Sequence, residues 1–355
     1  MVLLGIALHG TISYGMESHG ASWPFSIGPQ ETLTLWPYKD AKNHAFFDYF
    51  HNVIHIFRMP LFFVMAGFFG RYSYEKEGRL AFLHKRKKRI LYPLIVFWPI
   101  LFGLVGLGLL PLLNLKEEVT LSYILSVSGP IHLWFLFYLL YCYSTVVLLE
   151  RILRSGWLEK NMPSFSSYTS IPTLSLLLAI VISFHGGSVN AAASFFPKRG
   201  AFLVYFIFFL FGWINYGRAS RSVNSYLTNI TALVIGLGII FYLTFNMNNL
   251  AEDNLFILCF LSAFSAWSLI FSSLGLARRI YLRPHPAVTY LSTSSYWIYI
   301  FHFPIVILMV FLLKDLTLPA LTKGALVFLL STTLLLICYE FFVREGKVDR
   351  FLKGK

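Results

Sequence analysis

The sequence predicts an all-α integral membrane protein: about ten transmembrane helices in one bundle, a single domain over residues 1–355, with both chain ends in the cytoplasm. Three observations predict it. Of the 355 residues 57% are hydrophobic and 18% aromatic but only 13% charged, with a mean hydropathy of +0.67, unlike a water-soluble domain. Apolar runs near the ~20 residues that an α-helix needs to cross a bilayer recur along the whole chain. Basic residues divide unevenly between the segments that join those runs.

Residues 1–12, MVLLGIALHGTI, carry neither the basic n-region nor the cleavage site of a signal peptide. They read as the outer half of a first span that holds His9; either the inner half lies upstream of Met1, the reading favoured by the poor insertion of so short a run, or half a helix has been lost. The remaining spans are Asn52–Gly70, Ile90–Leu113, Leu133–Leu149, Ile171–Phe184, Ala201–Ile214, Thr228–Phe245, Leu255–Ala277, Tyr296–Leu313 and Gly324–Tyr339. Between the first two lies an extracytoplasmic loop, residues 13–50, with the stretches SWPFSIGP and LTLWPYKD. Their prolines and aromatics suit an ordered cover, either a plain structural lid or one that touches substrate. Residues 71–89 form a basic cytoplasmic loop and residues 344–355 a cytoplasmic tail.

Orientation follows from charge. Placing residues 71–89 inside puts 21 of the 29 Lys and Arg on the cytoplasmic side and seven on the other, with Arg58 within a span. This asymmetry accounts for most of the formal charge of +13 as topology signal, so no nucleic-acid partner is implied. Cys142, Cys259 and Cys338 all fall inside apolar runs without ligand spacing, so they suggest neither a disulfide framework nor a zinc site and read as packing residues.

Charge inside a membrane span needs a reason, because it costs about 2.5–3.5 kcal/mol even on insertion scales. Asp48, His51, His55 and Arg58 step by three, four and three residues, so helical geometry puts them on one stripe next to Pro60. Three readings of this stripe stand open: an anion or sugar site, a metal site on the HxxxH pair His51 and His55, or an Arg58 that snorkels to the outer interface. No further metal ligand is placed by the sequence, and no metal is assigned. At the other face HKRKKRILYP carries Arg86 and Arg89, whose guanidinium forks suit phosphate, although positive-inside anchoring alone explains such a cluster. In SSYWIYIFHFP, Ser295, Tyr299 and His302 share a face, with His302 near mid-membrane as either a site residue or a hydrogen-bonded structural one. GPIHLWFLFYLL sets His132 at a span mouth, and Glu340 is expected to pair with a loop arginine. His9 differs in that a neutral imidazole can take a proton near physiological pH, as activation of a hydroxyl requires.

The ordered set VLLGIALHG, FRMPLFFVMAGFF, RKKRILYP, HLWFL and SSYWIYIFHFP resembles the acyltransferase family 3 membrane proteins over essentially the whole chain. Within them it is most similar to the glucans biosynthesis protein C subgroup. The resemblance implies transfer of an acyl group, succinyl or acetyl, from cytoplasmic acyl-CoA to a hydroxyl of an extracytoplasmic carbohydrate such as a periplasmic glucan or envelope polysaccharide. Acyl-CoA is then a co-substrate rather than a tightly bound cofactor, and the location is a bacterial inner membrane. By position His9 matches the family's essential first-span histidine, and Arg86 with Arg89 its RxxR motif. Arg58, His55, His51, His132, Tyr299 and His302 are left as candidates for acceptor binding or oxyanion stabilisation. The family's arginine about eleven residues before the histidine falls ahead of Met1. The competing reading is a multi-span transporter or flippase for a polar envelope precursor.

Overall fold

The computed structural model describes residues 2–16, 39–105, 129–152, 168–185, 195–218, 226–280 and 285–354. Among these every regular element is helical, as expected where backbone groups must find their partners within one segment. In chain order the helices are α1 (Leu3–Ile12), α2 (Ala45–Glu77), α3 (Arg79–Arg86), α4 (Tyr92–Phe102), α5 (Trp134–Ile152), α6 (Ile171–Phe184), α7 (Arg199–Ile214), α8 (Tyr226–Asp253), α9 (Leu255–Ile280), α10 (Pro286–Leu313), α11 (Ala320–Cys338) and α12 (Lys347–Leu352). A π-helical segment, Lys87–Leu91, joins α3 to α4, and another, Tyr339–Val343, extends α11. Among the described residues seven helical stretches are long and apolar enough to cross a membrane, and three shorter apolar helices, Leu3–Ile12, Tyr168–Phe184 and Arg199–Ile214, fall where the other spans are expected. The protein is a multi-pass membrane protein. Residues 17–38, with SWPFSIGP and most of LTLWPYKD, and residues 106–113 of the third expected span lie outside the described residues.

Helix α2 runs through the bundle against α1, α7, α8 and α9. Its crossing with α7 is backbone on backbone. A Cβ on Gly67 would stand 2.0 Å from the Phe209 carbonyl oxygen and one on Gly212 would stand 1.9 Å from that of Val64, so glycine at both places sets how closely the helices approach. Around this crossing Phe63, Phe208, Phe209, Trp213 and Trp267 are fully buried. The serines of α9 remain compatible with an apolar setting because Ser262, Ser265 and Ser272 each donate to the carbonyl one turn earlier.

Two expectations change here. α2 begins at Ala45, capped by the His44 ring that accepts from the Phe46 amide, so Asp48, counted with the loop 13–50, and His51, just ahead of the expected span, both lie inside the helix. The basic stretch 71–89 is also helical. α2 continues to Glu77, Gly78 turns the chain at φ +77°, and α3 follows. Lys, Arg and Glu are good helix formers, and a left-handed glycine reverses direction without a loop. Phe82 anchors α3 among the rings of Tyr74, Tyr143 and Trp213, and Lys85 pairs with Glu77.

At the opposite end the residues flanking 17–38 are fixed. The Asp40 amide donates to the Ser13 carbonyl and the His44 amide to that of Tyr14, both at 2.9 Å. The Lys323 ammonium, buried, meets the Asp40 carboxylate at 2.6 Å and the Lys314 carbonyl at 3.0 Å. Glu340 pairs with Arg344 at 2.7 Å and accepts from the Tyr290 hydroxyl, the partnership its sequence position suggests.

Candidate functional site

Helices α1, α2 and α10 meet where α1 is thinnest. Gly5 and His9 stand one turn apart on the same face of α1. A Cβ on Gly5 would lie 2.8 Å from Arg58 Nη1 of α2 and 3.3 Å from His302 Nε2 of α10, so the missing side chain is the space those two groups occupy. One turn on, the His9 ring lies 5.3 Å from the His302 ring and meets Phe303 edge-on at 5.0 Å. His132, just before α5, completes the group: its ring is 5.0 Å from His302 and stacks on Phe303 at 5.2 Å. Three histidines and one arginine from four separate segments thus share one buried region.

The ring orientations are set by backbone groups. His302 Nδ1 lies 2.8 Å from the Tyr299 carbonyl and His132 Nε2 2.8 Å from the Ile300 carbonyl; carbonyls only accept, so both ring nitrogens donate. The Tyr299 hydroxyl donates to the His132 carbonyl at 2.8 Å, closing a loop between α10 and the short 3₁₀ turn Ile131–Leu133. In that turn Ile131 has φ +48°, a strained conformation for a β-branched residue and the kind that accumulates at functional sites. His51 serves α1: the Thr11 hydroxyl donates to Leu8 at 2.6 Å, so its 3.1 Å contact with His51 Nδ1 makes the histidine the donor. His55 stacks on His51 at 5.6 Å, and Asp48 accepts from the Met16 amide at 2.9 Å. Of the predicted stripe, His51 and Arg58 thus meet α1 and Asp48 meets the residues just after it.

Arg58 is the charged member. It is 9% exposed, and about 20 Å of helix separates it from the start of α2 at 1.5 Å per residue. Its guanidinium is turned into the protein, with Nη1 in the space beside Gly5 of α1. Among the described residues no carboxylate pairs with it and its Nε has no hydrogen-bond partner. The ionisable groups around it are the phenols of Tyr299 and Tyr205 and the histidines His9, His132 and His302. A buried guanidinium of this kind can hold an anion, and an imidazole beside it can accept a proton.

Residues 3–340 match the acyltransferase domain of acyltransferase family 3. The chain belongs to that family. No curated protein and no solved structure matches it.

In this membrane acyltransferase Arg86 and Arg89 sit at the C-terminal end of α3, on and beside the π-helical segment Lys87–Leu91, and the Arg89 carbonyl accepts from the Tyr296 hydroxyl of α10 at 2.8 Å. The wider π turn gives them different surroundings. The Arg86 guanidinium lies over the rings of Phe82 and Tyr143 at 4.9 and 4.7 Å. Arg89 is exposed and its Nε donates to the Lys353 carbonyl at 2.9 Å, so the tail helix α12 rests against this segment. Beside it the Asp349 carboxylate, hydrogen-bonded to Lys353, holds that ammonium above the usual lysine pKa. Ser295, grouped with Tyr299 and His302 by spacing, is half-buried and donates to the Ser292 carbonyl. Sequence reasoning did not single out Gly5, Thr11, Phe303 or Ile131. Only Gly5 had a signal, a small residue one turn from His9, and glycines recur too often in membrane helices for that to stand out.

Proposed function

We propose that the protein moves an acyl group from an acyl-CoA, bound from the cytoplasmic side, to a hydroxyl of an extracytoplasmic carbohydrate. The observation that carries this reading is the buried Arg58 beside His9, met by no carboxylate among the described residues. A site with a fixed positive charge and a neutral base suits a reaction in which negative charge appears on a carbonyl oxygen. In the proposed step His9 takes the proton of the acceptor hydroxyl, whose oxygen bonds to the thioester carbon. Arg58 faces the resulting oxyanion; the carbon–sulfur bond then breaks and the thiolate of CoA leaves, taking up a proton. Arg86 and Arg89 are read as the phosphate-binding end of the donor site. Thirteen residues of α2 separate Arg58 from Arg71 at the same end as Arg86, about 20 Å at the helical rise, a span that an extended pantetheine arm can cover. The subgroup resemblance makes succinyl the first acyl group to try and a glucan the first acceptor.

The test is transfer of label from succinyl-CoA and from acetyl-CoA in membranes carrying the wild type, His9→Ala or Arg89→Ala. His9→Ala is expected to abolish transfer and Arg89→Ala to raise the KM for the donor. Undiminished transfer by His9→Ala would remove the base assignment, and translocation of acceptor without any acylation would favour a transporter.

A further inference from the structure

Pro304 lies inside α10, two residues after His302. A proline lacks the amide hydrogen that the carbonyl four residues earlier would accept, and here that carbonyl belongs to Ile300. An unfilled carbonyl inside a membrane bundle needs another donor. It receives one from another segment: His132 Nε2 lies 2.8 Å away. The neighbouring Tyr299 carbonyl takes His302 Nδ1 at the same distance. One turn of α10 thus fixes two imidazoles in opposite tautomers. Neutral His132 carries its proton on Nε2 and keeps the lone pair on Nδ1, whereas neutral His302 carries its proton on Nδ1 and keeps the lone pair on Nε2.

What is left over is informative. His132 Nδ1 is buried without a hydrogen-bond partner among the described residues, and the residue is 7% exposed. His302 Nε2 is the atom that reaches the Gly5 gap beside Arg58. Apart from Arg58, the region therefore offers hydrogen-bond acceptors, and its complement is a ligand rich in hydroxyl donors.

We propose that Pro304 is a positioning residue that, by leaving the Ile300 carbonyl free for His132 Nε2–H, fixes the His132 Nδ1 lone pair as an acceptor for a hydroxyl of a polyol ligand. This rests on the acyl-transfer reading for its kinetic arm only. The first experiment is ¹⁵N NMR of histidine-labelled full-length protein in nanodiscs, with the His132 signal identified by its loss in His132→Gln. The wild type should show protonated Nε2 and bare Nδ1 at His132. Pro304→Ala, which restores an amide hydrogen to compete for Ile300, should bring in the other tautomer. The second measures transfer from labelled succinyl-CoA to a glucose oligomer. Both Pro304→Ala and His132→Gln should raise the acceptor KM roughly tenfold, about one lost hydrogen bond, with the donor KM unchanged. His132→Gln is the decisive variant if Pro304→Ala does not fold. Its amide still donates to Ile300 but brings no lone pair to the Nδ1 position, so an unchanged acceptor KM would mean that His132 is only structural. A wild-type His132 protonated on Nδ1, or a tautomer indifferent to Pro304→Ala, would overturn the proposal. If the wild type transfers nothing to the oligomer, the function reading fails in its acceptor, and the NMR arm still decides the role of Pro304.

Discussion

Two arginines on the same helix are buried to a similar degree and treated in opposite ways. Arg71, 4% exposed, has its Nη1 2.9 Å from Glu150 and its Nε 2.8 Å from Glu75. Trp213 adds an indole hydrogen bond to the same Glu150 oxygen at 3.1 Å. Arg58, thirteen residues earlier, is met among the described residues by phenols and imidazoles and by no carboxylate. A paired buried charge completes the fold that contains it, whereas an unpaired one is a standing cost that only a ligand relieves. The contrast separates the end of α2 that holds the bundle together from the middle that we propose meets a ligand.

The largest effect expected is on turnover in the middle region. His9→Ala should lower acyl transfer by about 10²–10⁴-fold, the usual worth of a positioned base, and Arg58→Met by about 10²–10³-fold, that of an oxyanion donor. The sharpest test of the comparison is stability. Arg58→Met should leave thermal unfolding in detergent unchanged or higher, since it removes an uncompensated charge. Arg71→Met should cost about 3–5 kcal/mol by stranding Glu150. If the two variants destabilise alike, Arg58 is a structural residue and the contrast collapses. Gly212→Ala comes next: its new methyl would meet the Val64 carbonyl oxygen at 1.9 Å, and forcing α2 and α7 apart should cost about 1–3 kcal/mol, seen as a lower melting temperature or loss of the monodisperse peak. Smallest of all, Glu340→Gln, which loses an exposed pair with Arg344, should move neither transfer nor melting temperature.

Much of this arrangement was legible in the chain itself. The period of α2 put Asp48, His51, His55 and Arg58 on one stripe, and the structure brings His51 and Arg58 of that stripe against α1, because a 3.6-residue repeat is a property of the helix whatever surrounds it. Helix ends were less legible. Asp48 was counted with the loop 13–50 and His51 fell just ahead of the expected span, since a hydropathy run stops at the first polar residues while the hydrogen-bond ladder continues through them to the His44 cap. Arg86 and Arg89 were visible as a motif, yet the π turn that separates their surroundings has no sequence signature comparable to a proline or glycine. HFP was visible too, as a histidine beside a helix-disturbing proline, but nothing in it named His132 as the donor for Ile300.

The sequence by itself determined the class of protein, where the apolar helices run, the family resemblance and most of the polar residues within them, because cost of burial, periodicity and motif spacing are all local properties. Only the tertiary structure decided which polar residues meet: His9 with His302, Arg58 against Gly5, His132 under the turn that Pro304 opens, and Arg71 with Glu150. Those meetings join residues far apart in the chain, and they depend on helix crossings set by close packing at a few glycines, which no local pattern encodes.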